Sequence, residues 1–476
     1  MEYEAVIGLE VHAQLATESK IFSSSSTKFG SPPNSQVNPV CLGMPGVLPV
    51  FNERVLEYAI RAGLATNCEI ARKSRFARKN YFYPDLPKGY QISQYDEPLC
   101  LRGHLEIDSG DGRKKIRITR IHLEEDAGKL VHEYSDFESH VDLNRAGVPL
   151  VEIVSEPDIS TAEEAVEYVR KLRTILRYIE VCDGNMEEGS LRCDANVSVR
   201  PVGQNELGTK TEIKNLNSFR FIQRAIGYEI KRQEAVLRSG GKVVQETRLF
   251  DSQKGVTFAM RSKEEAHDYR YFPDPDLLPV VVVEDYLEKI RRSRPELPEE
   301  KLSRFVDEFN IPRNDAETLS SSRPLAEYFE ECAKHTKDKK AASTWILNEM
   351  LREVENEDSI AEFPVKPENL AELLNLIGEG KINRKTAKEI FSEMISGGKR
   401  AEEIVIEKGL AQITDEDEIS SIISKIIEEN PKEVERYRKG DTKLLSFFVG
   451  QVMKATRGKA DPAAVNQMLR NSLEKE

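Results

Sequence analysis

Up to about residue 285 the apolar positions come in short runs that alternate with polar ones and are broken by Gly, Pro and Asn. Ala5, Ile7, Leu9 and Val11 form one run. Leu191, Cys193, Ala195, Val197 and Val199 form another, and Ile116 and Ile118 belong to a third. A period of two predicts strands with one buried face. Helical spacing is interspersed over 53–65, 161–179 and 218–237. With no regular alternation of strand and helix, the pattern predicts an α+β region on a mainly antiparallel sheet.

After Glu284 the period changes. Leu302, Phe305, Val306 and Phe309 stand at i, i+3, i+4 and i+7, the stripe of an amphipathic helix. Similar stripes recur over 325–332, 345–351, 370–377 and 387–395. From about residue 400 the order is an acidic turn at 415–417, a helix over 418–429, a break at Pro431 and an apolar helix over 444–453. Asp461 followed by Pro462 reads as the N-cap and first residue of a last helix. The expected domains are 1–292, 293–400 and 401–476.

A length of 476 residues suits several domains. The 39% apolar content excludes a disordered or collagenous chain. No apolar run approaches the ~18 residues of a membrane span. Met1-Glu2-Tyr3-Glu4 leads directly into a strand pattern, so neither a signal nor a transit peptide is expected. The six cysteines include no CxxC pair, which points away from structural zinc and disulfides and towards the cytoplasm. The net charge of −13 argues against a chain coated in nucleic acid. Screening over ~8 Å at physiological salt still lets a local basic patch act alone.

The informative anomaly is charge within apolar strands. In Ala5-Val6-Ile7-Gly8-Leu9-Glu10-Val11-His12 the alternation puts Glu10 and His12 on one face. Glu152 stands alone among aliphatic neighbours in Pro149-Leu150-Val151-Glu152-Ile153-Val154. An unpaired buried carboxylate costs several kcal/mol, so it must meet a cation or a wet cleft. Another strand ends in Glu124-Glu125-Asp126, and one face of 191–200 carries Arg192, Asp194, Asn196, Ser198 and Arg200. Several carboxylates with at most one imidazole suit Mg²⁺ or Mn²⁺ rather than zinc. Carboxylates beside arginines suit phosphoryl transfer. The chain has no GxxxxGK[ST], no GxGxxG and no HRD or DFG pair, so any use of ATP must rely on an uncommon, sheet-based site.

Glu10-Val11-His12-Ala13-Gln14-Leu15, Cys41-Leu42-Gly43-Met44-Pro45-Gly46 and Arg78-Lys79-Asn80-Tyr81-Phe82-Tyr83-Pro84-Asp85 resemble the B subunits of tRNA-dependent aspartyl/glutamyl amidotransferases, the GatB/GatE family. So do the segments 90–96, 122–129, 152–158, 187–196, 268–273 and 450–455, so that the likeness runs along the whole chain. The resemblance implies an N-terminal cradle similar to glutamine synthetase, a helical middle and a small tail related to YqeY. It implies that ATP phosphorylates the side-chain carboxylate of glutamate on tRNA(Gln), or of aspartate on tRNA(Asn), and that ammonia then displaces phosphate. Ammonia would come from glutamine hydrolysed in an amidase partner (GatA), with a small third protein (GatC) completing a heterotrimer.

By the same resemblance His12, Glu125 and Glu152 are expected to hold one Mg²⁺, and Glu10, Glu124 and Asp194 a second. Adjacent Glu124 and Glu125 diverge in a regular strand, so an end or bulge is expected there. Arg192 and Arg200 are candidates to cradle ATP phosphates. Lys79, Tyr81 and Lys88 are candidates for the ammonia path or substrate contact. Arg436, Arg438, Lys439, Lys443, Lys454, Arg457 and Lys459 form a basic stretch containing only Asp441 as an acid, expected to meet tRNA phosphates. Some relatives carry a cysteine pair near Cys41; Asn38 stands three positions before it here, so no zinc is expected. Two rival readings are a stand-alone Mg-dependent ligase for a small carboxylate and a non-catalytic RNA adaptor.

Overall fold

The computed structural model describes residues 2–110, 112–132, 138–260, 269–410, 416–456, 460 and 462–474. Asp268, Asp415, Arg457, Lys459 and Asp461 therefore lie outside the described residues. The chain divides into two compact units, Met1–Leu297 and Pro298–Glu476.

The first unit is built on a nine-stranded sheet. Its strands are β1 (Tyr3–Gln14), β2 (Glu69–Ile70), β5 (Cys100–Ser109), β6 (Gly112–Glu125), β7 (Pro149–Ser155), β8 (Leu191–Pro201), β9 (Thr211–Lys214), β10 (Thr247–Asp251) and β11 (Val256–Ala259), and β3 (Ala77–Asn80) and β4 (Tyr90–Ser93) form a second, small sheet with Phe272–Pro273 that packs against the end of β6. The spatial order is β11-β10-β9-β8-β1-β7-β6-β5-β2, antiparallel throughout except for the β9–β10 pair. The mainly antiparallel α+β architecture expected from the alternating runs is thus present.

One face of the sheet is apolar, as the period of two requires. Ile7, Leu9, Val11 and Ala13 of β1 join Val151 and Ile153 of β7 and Leu191, Cys193, Ala195 and Val197 of β8 in one core. Three helices cover this face: α1 (Glu53–Ala65), α2 (Ala162–Tyr178) and α3 (Phe219–Arg238). α2 buries Ala165, Tyr168, Val169, Leu172 and Leu176, a stripe at helical spacing. Side chains at the N-caps fix where the helices begin: Thr161 accepts from the Glu164 N–H at 3.1 Å and Ser218 from the Phe221 N–H at 3.1 Å. The opposite face carries the charged residues Glu10, His12 and Glu152 among a few apolar ones such as Val6, Leu150 and Val154.

Among the described residues the second unit is entirely helical. Helix Ala401–Lys408 packs against Pro367–Gly378. The last helices gather around a separate core that includes Ile419, Ile423, Phe448, Val452, Val465 and Leu469. Pro431 does more than interrupt the chain: it opens helix Pro431–Arg438, where its missing N–H costs no hydrogen bond. No described helix is long and apolar enough to cross a membrane.

β5 passes so close to the end of α1 that Gly103 has no room for a side chain. A Cβ there would lie 2.3 Å from Cys68 Sγ and 2.7 Å from Thr66 O. Gly103→Ala is expected to destabilise the unit by about 1–3 kcal/mol through overpacking, whereas Gly110→Ala, open on all sides, is expected to stay within about 0.5 kcal/mol. Urea midpoints of the two variants test the contrast.

Candidate metal centre

The polar face is assembled by register. His12 of β1 faces Glu152 of β7 on one side and Arg192 of β8 on the other. Glu152 in turn faces His122 of β6, and Glu10 faces Asp194 of β8. One irregularity completes the set. The β7–β6 register shifts between Val154 and Ser155, whose partners are Arg120 and Ile118, so that Thr119 is an extra residue on β6. Before the shift β6 buries Ile116 and Ile118; beyond it, Ile121 and Leu123. A one-residue slip exchanges the two faces of a strand. The bulge therefore turns Arg120, His122 and Glu124 onto the polar side. Of the end or bulge expected at Glu124 and Glu125, the structure shows the end: β6 pairs regularly through both residues and stops at Glu125.

His12, Glu124 and Glu152 converge. Each offers one ligand atom, and the three atoms lie within 4.8 Å of one another. His12 Nε2 is 3.5 Å from Glu124 Oε1 and 3.5 Å from Glu152 Oε2. His122 Nε2 adds a contact to Glu152 Oε2 at 3.3 Å. Two carboxylate oxygens and one imidazole nitrogen form an oxygen-rich set without thiols, which fits Mg²⁺ or Mn²⁺.

The electrostatics separate the two carboxylates. Burial pushes the Glu124 pKa up, and the nearby charge of Glu152 pushes it further. Burial acts the same way on Glu152, but His122 and His12 more than reverse it and hold that carboxyl well below its usual range. For His12, burial favours the neutral ring, yet its hydrogen bond to Glu152 and the charges of Glu124 and Glu152 raise its pKa to about 9. Glu10 is raised by burial and by Glu152, against a 2.9 Å hydrogen bond donated by Asn196 Nδ2. A site that presses carboxylates together in this way is primed for positive charge.

The remaining sequence candidates divide. Glu125, expected among the ligands of the first cation, is not part of this cluster, in which its neighbour Glu124 stands beside His12 and Glu152. Glu125 instead forms an ion pair with Lys88 and accepts from the Ile92 N–H at 2.8 Å, lining a small cavity with Lys20 and Cys41. Asp194 stands beside Glu10 but pairs with Lys214 at 2.9 Å. Arg192 stays on the site face, 3.0 Å from Asp126, which also accepts from Gln14 Nε2 at 2.9 Å. Arg200 does not join the site: it pairs with Glu4 at 2.6 Å, at the far end of the β1–β8 ladder. Lys79 lies over the Tyr269 ring, 4.9 Å from its centroid, and its charge is felt by Glu124. Burial, with Asp85 and Glu124 nearby, raises the Tyr81 pKa, so its phenol stays neutral.

Sequence reasoning misses Arg120, His122 and Lys214. The signal for the first two is the switch of apolar parity between Ile118 and Ile121. In the tail, Arg436, Arg438, Lys439, Lys443 and Lys454 are all exposed. Two of them are paired locally, Arg436 with Asp441 at 2.9 Å and Lys439 with Glu435 at 2.5 Å.

Residues 5–288 match the family model described as the GatB/GatE catalytic domain, and residues 327–473 match the one described as the GatB domain. The chain is 61% identical to the B subunit of the aspartyl/glutamyl-tRNA(Asn/Gln) amidotransferase of Thermodesulfovibrio yellowstonii over 98% of this chain and 99% of that one. It is 59% identical to the protein of the same name from Thermoanaerobacter pseudethanolicus and 57% to that of a Geobacter species, in both cases over the full length of each chain. Matched by family models over both of its units and by relatives of this identity from end to end, the chain belongs to the GatB/GatE family.

Proposed function

We propose that this chain is the carboxylate-activating subunit of a tRNA-dependent amidotransferase. The observation that carries the reading is the convergence of His12, Glu124 and Glu152 on one sheet face. The names of the relatives supply the substrate class: glutamate on tRNA(Gln) or aspartate on tRNA(Asn).

A carboxylate resists amidation because its leaving group is oxide. In the first step one carboxylate oxygen of the esterified amino acid attacks the γ-phosphorus of ATP, the bond to the bridging oxygen breaks, and ADP leaves. In the second, the ammonia lone pair attacks the acyl carbon, phosphate departs with the bonding electrons, and loss of a proton gives the amide. His12, Glu124 and Glu152 would hold Mg²⁺, with Glu10 and Asp194 alongside. When bound, the ion supplies charge that screens the two approaching anions and polarises the phosphoryl oxygens.

The chain's own groups prepare that meeting. Arg192 presents a guanidinium to phosphate oxygens while Asp126 steadies it. Tyr81 remains a neutral donor and adds no negative charge beside Glu124. The Lys88–Glu125 pair, with Lys79 and Tyr81 nearby, belongs to the route by which ammonia arrives from the amidase partner, GatA. The small protein GatC completes the complex, which works in translation in the cytoplasm. The exposed cations of the tail meet the tRNA backbone.

Glu152→Gln in the reconstituted complex is expected to lower Mg-dependent ADP release with Glu-tRNA(Gln) by more than about 100-fold, the loss of several kcal/mol of charge stabilisation. Filter binding of tRNA is expected to be unchanged. Retained ADP release contradicts the proposal. The double variant Lys443→Gln, Lys454→Gln is expected to weaken tRNA binding and to reduce the slope of log affinity against log salt by roughly one to two, without changing ADP release at saturating tRNA. An unaltered salt slope removes these lysines from the tRNA contact.

A further inference from the structure

The site face carries two histidines, and their surroundings give them different work. His12 turns Nε2 towards both carboxylates of the triad, 3.5 Å from each. His122 is only 4% exposed and has a neighbour at each nitrogen. Its Nδ1 lies 3.4 Å from Arg120 Nε. A guanidinium donates and cannot accept, so the Nδ1 lone pair is the acceptor and the ring proton sits on Nε2. That proton faces Glu152 Oε2 at 3.3 Å, with Glu124 Oε2 more distant at 4.0 Å. With Nδ1 accepting and Nε2 donating, His122 has no lone pair left for an ion.

We propose that His122 is a positioning residue that holds Glu152 in its ligating orientation, with Arg120 fixing the tautomer that makes this possible. The proposal rests on the reading of His12, Glu124 and Glu152 as a divalent-cation site. The logic is that of an outer partner steering a ligand: a glutamate carboxylate with two equivalent oxygens and three rotatable bonds is restrained when one oxygen is held by a fixed donor. The bulge at Thr119 serves this arrangement directly, because without it Arg120 and His122 would face the core. Arg120 lies on the same strand two residues from His122, so both turn together. Among the described residues, no carboxylate lies within ion-pair distance of Arg120, which leaves its Nε hydrogen bond to His122 as the contact that orients it.

Two near-isosteric substitutions separate this role from general packing. Gln places its amide N–H₂ near the position of Nε2, so His122→Gln keeps the donor to Glu152. Asn places its amide near Nδ1, so His122→Asn keeps only the group facing Arg120. The probe is Mn²⁺, titrated against the full-length chain and followed by the electron paramagnetic resonance signal of the free ion, with Mg²⁺ as competitor. His122→Gln is expected to bind Mn²⁺ within about threefold of wild type and His122→Asn roughly 10–100-fold more weakly. In ADP release, His122→Asn is expected to need proportionately more Mg²⁺ while regaining most of kcat at saturation. Wild-type affinity in His122→Asn, or equal loss in both variants, overturns the positioning role. A wild-type chain with no Mg-displaceable Mn²⁺ site overturns the cation-site reading itself, and the role of His122 falls with it.

Discussion

The structure depends on mutual repulsion among carboxylates that the sheet forces together. Glu124, Glu152 and Glu10 lie on neighbouring positions of adjacent strands, largely withdrawn from water. Buried like charges are tolerated only if some are neutralised or a cation lies between them. The fold meets part of this demand with the charges of His12, Lys214 and the Arg192 guanidinium and with the ring N–H of His122. On the proposed reading, the remainder falls to a cation that arrives from outside. The same field that presses the carboxylates apart would then become attraction, once a divalent ion lies between them.

The scaffold answers this demand by giving the two sheet faces separate tasks. Helices α1, α2 and α3 cover the apolar face, and that burial holds the strands in a fixed register. The register then sets which polar side chains are opposite one another across β8, β1, β7 and β6. A single extra residue, Thr119, converts the far half of β6 from contributing to the core to contributing to the site. Glu125, on the other parity, is left to pair with Lys88. Two adjacent glutamates in sequence thus end in different electrostatic environments, one beside His12 and the other beside a lysine.

Much of this was legible along the chain. The period of two, the change of period after Glu284, and the lone charges Glu10, His12 and Glu152 within apolar strands follow from local rules that each strand obeys alone. The choice between Glu124 and Glu125 was not legible, because it depends on the face to which β6 is turned after the bulge. The parity switch from Ile116 and Ile118 to Ile121 and Leu123 was the available clue, and it also marks Arg120 and His122. Arg200 shares a strand face with Arg192 but is removed from the site by Glu4, a partner on the neighbouring strand that only the β1–β8 register reveals. Pro431 reads as a break and is one, and it also opens the next helix, since a proline without its N–H is equally at home just past one helix and at the first position of the next.

The most direct test of the central claim is anomalous diffraction from a crystal of the full-length chain soaked in Mn²⁺. The account predicts a peak bounded by His12 Nε2 and by one oxygen each of Glu124 and Glu152, with Glu125 still on Lys88. Absence of any peak between those three side chains, or a peak that draws Glu125 in and leaves Glu124 out, would contradict it.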